Sequence, residues 1–110
     1  MPKIIPIREL KNTATISKFV EDSCDALGGT YEGQNLGTFG DFSTFSFYPA
    51  HHITTGEGGM LVTNRRDLFE DAYILNDHGR DPQINKMFWA ERIGYKYKMS
   101  NLQAALGCAQ

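Results

Sequence analysis

"FSTFSFYPAHHITTGEGGMLVTN", residues Phe42 to Asn64, is the stretch whose reading decides the fold. It opens with aromatic and small polar residues in alternation, the period of a half-buried strand. It closes with "GGMLVTN", a short apolar run bounded by glycines and Asn64, which reads as a second strand. Between the two lie His51, His52 and the glycine-rich "TTGEGG". That glycine-rich run has two readings. It is a hairpin connection, or, with the Ser46 hydroxyl, a set of backbone N–H groups that lets a phosphate come close. The histidines are adjacent and need not face the same way. A metal site needs a third ligand, and the chain offers only distant His78 and scattered carboxylates, so no metal is predicted.

Working upstream, "KFVEDSC" reads as a strand with Glu21 and Asp22 arriving at its C-terminal end. "LGGTYEGQNLGTFGD" is glycine-rich, and its "YEGQ" step suits a tight hairpin turn. The first residues read less clearly. "KIIPI" fits a short edge strand interrupted by Pro6, and "IRELKNTATISKF" fits a helical turn followed by loop. Downstream the period changes. "RRDLFEDAYILNDHG" sets Leu68, Phe69, Ala72, Tyr73 and Leu75 at helical spacing, with Gly79 as the stop. "RDPQINKMFWAERIGYKYK" reads as a long loop. "SNLQAALGCAQ" opens with Ser100 and Gln103 spaced as a capping box, and its helix is predicted to run on to Gln110. Alternating strands and helices argue for an α/β architecture.

Composition excludes several classes. Of 110 residues, 41% are hydrophobic and 22% charged, which is ordinary globular usage. A net charge of -2 carries no basic footprint, so nucleic acid is not an expected partner. No apolar run reaches the ~20 residues that span a bilayer, and the N-terminal residues lack a signal-peptide pattern. A soluble, cytoplasmic protein without a membrane partner is therefore predicted. Cys24 and Cys108 are too far apart in sequence for a zinc pattern and read as two reduced, buried thiols.

Two further features bear on chemistry. Ligands of α/β sheets bind beyond the C-terminal strand ends, where Asp22 stands. Its carboxylate could hold a protonated ring nitrogen, or it could simply solvate the strand end. Lys96 and Lys98, just before a helix N-terminus, could reach a phosphate or stand as solvated charges beside Tyr95 and Tyr97.

Together, "EDSCDALGGTYEGQNLGTFGDFSTFSFYPAHHITTGEGGMLVTN", "NDHGRD" and "GYKYKMSNLQAALGCAQ" resemble the DegT/StrS family of sugar aminotransferases. The resemblance covers about residues 20–110. It implies a partial, C-terminally truncated PLP-binding large domain of the type I aminotransferase fold, with residues 1–19 unassigned. It also implies a PLP or PMP cofactor, a nucleotide-linked keto sugar as substrate, and a homodimer in the full-length family. By resemblance Asp22 pairs with the pyridine nitrogen, Asp25 lies near the cofactor ring, and Ser46 binds the cofactor phosphate. Lys96 stands where members often carry an Asn that reaches the phosphate of the neighbouring subunit.

The departure is at His51, where aminotransferases of the family carry the Schiff-base lysine. No lysine occurs between Lys18 and Lys86. Imidazole cannot replace the amine in that bond, but it moves protons near neutral pH. "SFYPAHHIT" and "EDSCDALG" resemble the lysine-less branch, the 3-dehydratases of keto-deoxy sugars in lipopolysaccharide biosynthesis, which implies His51 as the catalytic base. Iron–sulfur members of that branch carry further cysteines after the "GRD" step, and "GRDPQINKMFW" has none. Cys24 matches one cluster position, and one ligand does not hold a cluster. The C-terminal third resembles the ordinary aminotransferase branch. Three readings follow: a 3-dehydratase segment, an aminotransferase relative that lacks its lysine, and a catalytically inactive fragment.

Overall fold

The alternating run at Phe42 folds as the middle strand of a small sheet. A computed structural model describes residues 18–84 and 89–110. Its elements are β1 (Val20–Asp22), β2 (Thr30–Tyr31), β3 (Gln34–Asn35), β4 (Phe42–Ser46), β5 (Gly59–Val62), α1 (Arg66–Asn76) and α2 (Asn101–Cys108). One sheet has the order β1-β4-β5, and β2 and β3 form a separate pair. β1 runs parallel to β4, with Glu21 opposite Ser43 and Asp22 opposite Thr44. β5 returns antiparallel to β4, with Thr44 opposite Leu61 and Ser46 opposite Gly59. The mixed α/β expectation holds. The edge strand and helical turn expected near the N-terminus lie outside the described residues, as do residues 85–88 of the long loop.

Local signals settle most of the boundaries. The "YEGQ" turn forms, with φ of 49° at Glu32 and 80° at Gly33. Positive φ at both central residues is the twist that matches two antiparallel strands. β4 stops at Ser46, short of Tyr48, because the Tyr48 N–H turns back onto Ser46 Oγ at 3.2 Å. α1 ends at Asn76, and the chain leaves it through two left-handed residues, His78 (φ 59°) and Gly79 (φ 73°). The N–H groups of Asp77 and Gly79 both return to the Ile74 carbonyl. A Cβ at position 79 would sit 1.8 Å from the Arg92 carbonyl oxygen, so only glycine fits. Both halves of the Ser100–Gln103 capping box are made. α2 closes at Cys108 rather than Gln110: the Ala109 N–H returns to the Leu106 carbonyl (3.3 Å) and the Gln110 N–H to the Gly107 carbonyl (3.4 Å), the tighter i to i−3 spacing of a final turn.

The core is small and lies on one face of the sheet. Phe39 and Phe45 are the buried hydrophobic side chains among the described residues, and Glu21, Ser23 and Ser43 are buried with them. In β1 and β4 alternate residues share a face. Glu21, Ser43 and Phe45 therefore point inward, under the glycine loop of residues 37–40. Asp22, Thr44 and Ser46 face the other way. Gly37 (φ 91°) is pressed against Phe45, whose ring would lie 2.6 Å from a Cβ there. Glu21 closes the layer: its carboxylate accepts the Gly37 N–H at 2.8 Å and the Gly40 N–H. Both cysteines are free, as expected, but only Cys24 is part-buried. Cys108 is exposed because α2 buries none of its residues.

Two charge-assisted bonds to a buried carboxylate contribute about 1.5–3 kcal/mol each. Glu21→Ala should therefore destabilise the chain by about 3 kcal/mol, read as a lowered urea midpoint. Glu21→Gln, which keeps one acceptor oxygen, should lose less.

Candidate active site at the ends of two parallel strands

Because β1 and β4 are parallel, their C-terminal ends lie side by side, and the loops that leave them meet. After Asp22 the chain turns through Ser23, Cys24 and Asp25, with the Ser23 N–H on the Thr44 carbonyl (2.9 Å) and the Ala26 N–H on the Ser23 carbonyl (3.0 Å). The buried Ser43 and Ser23 hydroxyls bond at 3.0 Å and tie this turn to β4. After Ser46 the chain turns through residues 47–50 to His51, whose N–H donates to the Tyr48 carbonyl at 3.0 Å. The two loops touch at one polar contact: His51 Nδ1 lies 2.7 Å from Asp25 Oδ1. The His51 side chain is 18% exposed and that of Asp25 is 86% exposed.

Asp22 stands beside this pair as an ionised group. Its carboxyl is held below the usual carboxylate range, chiefly by the Cys24 side chain and then by the Cys24 N–H at 3.2 Å, with His51 adding a smaller attraction. The same contact with Asp22 pushes the Cys24 thiol up. Cys24 therefore serves as a donor that keeps its neighbour charged. Ser46 Oγ already accepts the Tyr48 N–H, which leaves its own O–H to donate. The strand-end cluster thus offers an anion, a hydroxyl donor and an imidazole.

Lys96 is not part of that cluster. Its backbone pairs with Asp77 at the end of α1, and its Nζ donates to the Lys98 carbonyl at 3.3 Å. It lines a groove of about 1040 Å³ with Met60, Leu61, Phe69 and Tyr73, and none of Asp22, Asp25, Ser46 or His51 reaches that groove. Lys98 ion-pairs with Asp77 at 3.0 Å. The glycine-rich run is also committed elsewhere. Thr54 N–H donates to the Gln110 side chain at 3.1 Å, Gly56 N–H to Thr54 Oγ1 at 3.1 Å, and Gln103 Nε2 to the Glu57 carbonyl at 2.8 Å. It serves as a connection between β4 and β5 braced by α2. Among the described residues no group of histidine, cysteine and carboxylate side chains could hold a metal ion, and no helix is long and apolar enough to cross a membrane.

The model of the DegT/DnrJ/EryC1/StrS aminotransferase family matches residues 3–110. The chain belongs to this family. GDP-perosamine synthase of Escherichia coli is 42% identical over 110 residues, covering 100% of this chain and 29% of that protein. The dTDP-4-dehydro-2,6-dideoxy-D-glucose 3-dehydratase of Saccharopolyspora spinosa is 40% identical over 114 residues, covering 83% of this chain and 25% of its own. Among solved structures, the E. coli GDP-4-keto-6-deoxy-D-mannose-3-dehydratase with bound hydrated PLP superposes with a TM-score of 0.79 at 27% identity. It covers 94% of this chain and 30% of its own length. The fold is thus part of the PLP-dependent aminotransferase fold, and the chain spans less than a third of the length of these relatives.

The sequence placed Asp22 at a strand end, but it held no hint of Cys24 as the donor to Asp22. The i, i+2 spacing of Asp22 and Cys24, that of an Asx turn, is the signal that carries it. The sign of the Asp22 shift sets a pH dependence. A carboxyl lowered in the folded chain adds stability above its unfolded value of about 3.9, and that stability is lost as pH falls through the folded value. In an NMR titration Asp22 should have its midpoint below that value, and Cys24→Ala should move the midpoint up toward it.

Proposed function

We propose that this chain forms part of a PLP- or PMP-dependent enzyme that acts on nucleotide-linked keto sugars in lipopolysaccharide or deoxysugar biosynthesis, with chemistry of the 3-dehydratase type. The observation that carries this reading is an imidazole, hydrogen-bonded to Asp25, at a position where a transaminase needs an amine. No lysine lies between Lys18 and Lys86 to take its place.

The donor set at the strand ends fits the cofactor. The carboxylate of Asp22 is kept ionised, as a partner for a protonated ring nitrogen must be. Ser46 retains a hydroxyl proton for a phosphate oxygen. When bound, the cofactor supplies an electron sink for deprotonation next to the sugar carbonyl. Asp22 would hold the ring nitrogen in its protonated form, and Ser46 would anchor the phosphate. His51 would take up and return a proton, the ordinary task of an imidazole in general acid–base chemistry. Lys96, remote from this cluster within one chain, would act as a point charge toward the phosphate site of a second subunit.

A second reading is supported by the 42% identity to a GDP-perosamine synthase along the whole chain. On that reading the chain belongs to an aminotransferase relative that has lost its lysine. One experiment tests the dehydratase reading and separates it from an inert fragment. Treatment with PLP and borohydride should leave the protein without stoichiometric covalent label, while PMP binds reversibly. His51→Lys should gain one label at position 51, and Asp22→Asn should weaken PMP binding about tenfold or more. Stoichiometric labelling of a native lysine would overturn the dehydratase reading, and failure to bind either cofactor would support the inert fragment.

A further inference from the structure

We propose that Asp25 is a positioning residue for His51: it accepts the Nδ1–H and so leaves the Nε2 lone pair as the one site of proton uptake. This role rests on reading His51 as the base. It differs from the placement of Asp25 against the cofactor ring that the family resemblance implies.

The geometry carries the assignment. Nδ1 and Oδ1 are 2.7 Å apart, the length of a charge-assisted bond. A carboxylate only accepts, so the proton on that bond belongs to the imidazole. In the neutral ring the other nitrogen is then the bare one. The two residues come from the loops after β1 and β4, and those loops are fixed independently of the contact. The Ala26 N–H on the Ser23 carbonyl holds one, and the His51 N–H on the Tyr48 carbonyl holds the other. The ring cannot easily turn away, since its side chain is largely covered while Asp25 stands open to solvent. Asp22, the other carboxylate near this ring, is engaged by the Cys24 N–H at 3.2 Å. Asp25 is therefore the carboxylate that sets the tautomer. A histidine without such a partner exchanges between two neutral tautomers, and a proton acceptor aimed at substrate is present in only one of them.

The test needs no cofactor. Nitrogen-15 NMR of the imidazoles at about pH 9, well above the ordinary histidine range, reads the tautomer directly, and loss of the signal in His51→Asn assigns it. The expected result is a dominant Nδ1–H tautomer in the unmodified chain and loss of that dominance in Asp25→Ala. A dominant Nε2–H form in the unmodified chain overturns the proposal, and so does a tautomer ratio that Asp25→Ala leaves unchanged. Backbone amide spectra of Asp25→Ala should match the unmodified chain outside the two loops. The outcome is independent of the cofactor experiment: failure of His51→Lys to take a label sinks the functional reading and leaves the tautomer result standing.

Discussion

The site depends on a buried carboxylate that does no chemistry. Glu21 bonds the backbone N–H groups of Gly37 and Gly40, and so clamps the glycine loop over Phe45. With an inward glutamate, strand geometry requires the next residue, Asp22, to point outward. Parallel pairing then aligns Asp22 with Thr44 and brings the ends of β1 and β4 together. If the clamp failed, the strand could slip by one residue, and every side chain of β1 would change face. The exposed carboxylate and the one that holds the loop would then exchange places.

Such a clamp carries more weight here than in a larger core. Phe39 and Phe45 are the buried apolar side chains among the described residues, and neither α1 nor α2 buries any. With so little apolar burial, polar bonds of known direction set the arrangement. Ser43 to Ser23, Glu21 to two glycines, and Asp41 to the Phe19 N–H and Arg65 each tie one segment to another. The Asp41 carboxyl is accordingly held below its usual range, first by the Phe19 N–H and then by Arg65.

What the sequence revealed follows the range of the interaction behind each feature. The Glu32–Gly33 turn, the α1 periodicity and the Ser100–Gln103 box depend on residues within a few positions of one another, and all were legible. The helix stop was legible at Gly79, but the left-handed His78 before it was not, because only the close approach of Arg92 shows why the chain must turn there. The pairing of Asp25 with His51 spans 26 positions. Neither periodicity nor motif spacing relates the two residues, which meet only because β1 and β4 are parallel neighbours. For a similar reason the separate task of Glu21 was not legible. Two adjacent carboxylates at a strand end look equivalent until a loop 16 residues on chooses one of them. The glycine-rich run left two readings open in the sequence, a hairpin connection and a phosphate cradle, and only the structure shows Gln110 and Gln103 engaging its polar groups.

The fold alone does not decide the reaction, because a shared backbone frame is found in relatives named for amino transfer and in relatives named for dehydration. The same strand ends could present either an amine or an imidazole, and the difference lies in what each group needs from its surroundings. A lysine that is to form a covalent bond needs its amine free. An imidazole that is to move a proton needs one nitrogen held so that the other stays bare, and hence an acceptor within hydrogen-bond reach on a fixed loop. Asp25 meets that second requirement and would be of little use to the first, since a carboxylate beside an amine favours its protonated, non-nucleophilic form. The residue at position 51 and its partner at position 25 are thus consistent with each other as a pair, which is what the proposed role of His51 in proton transfer requires.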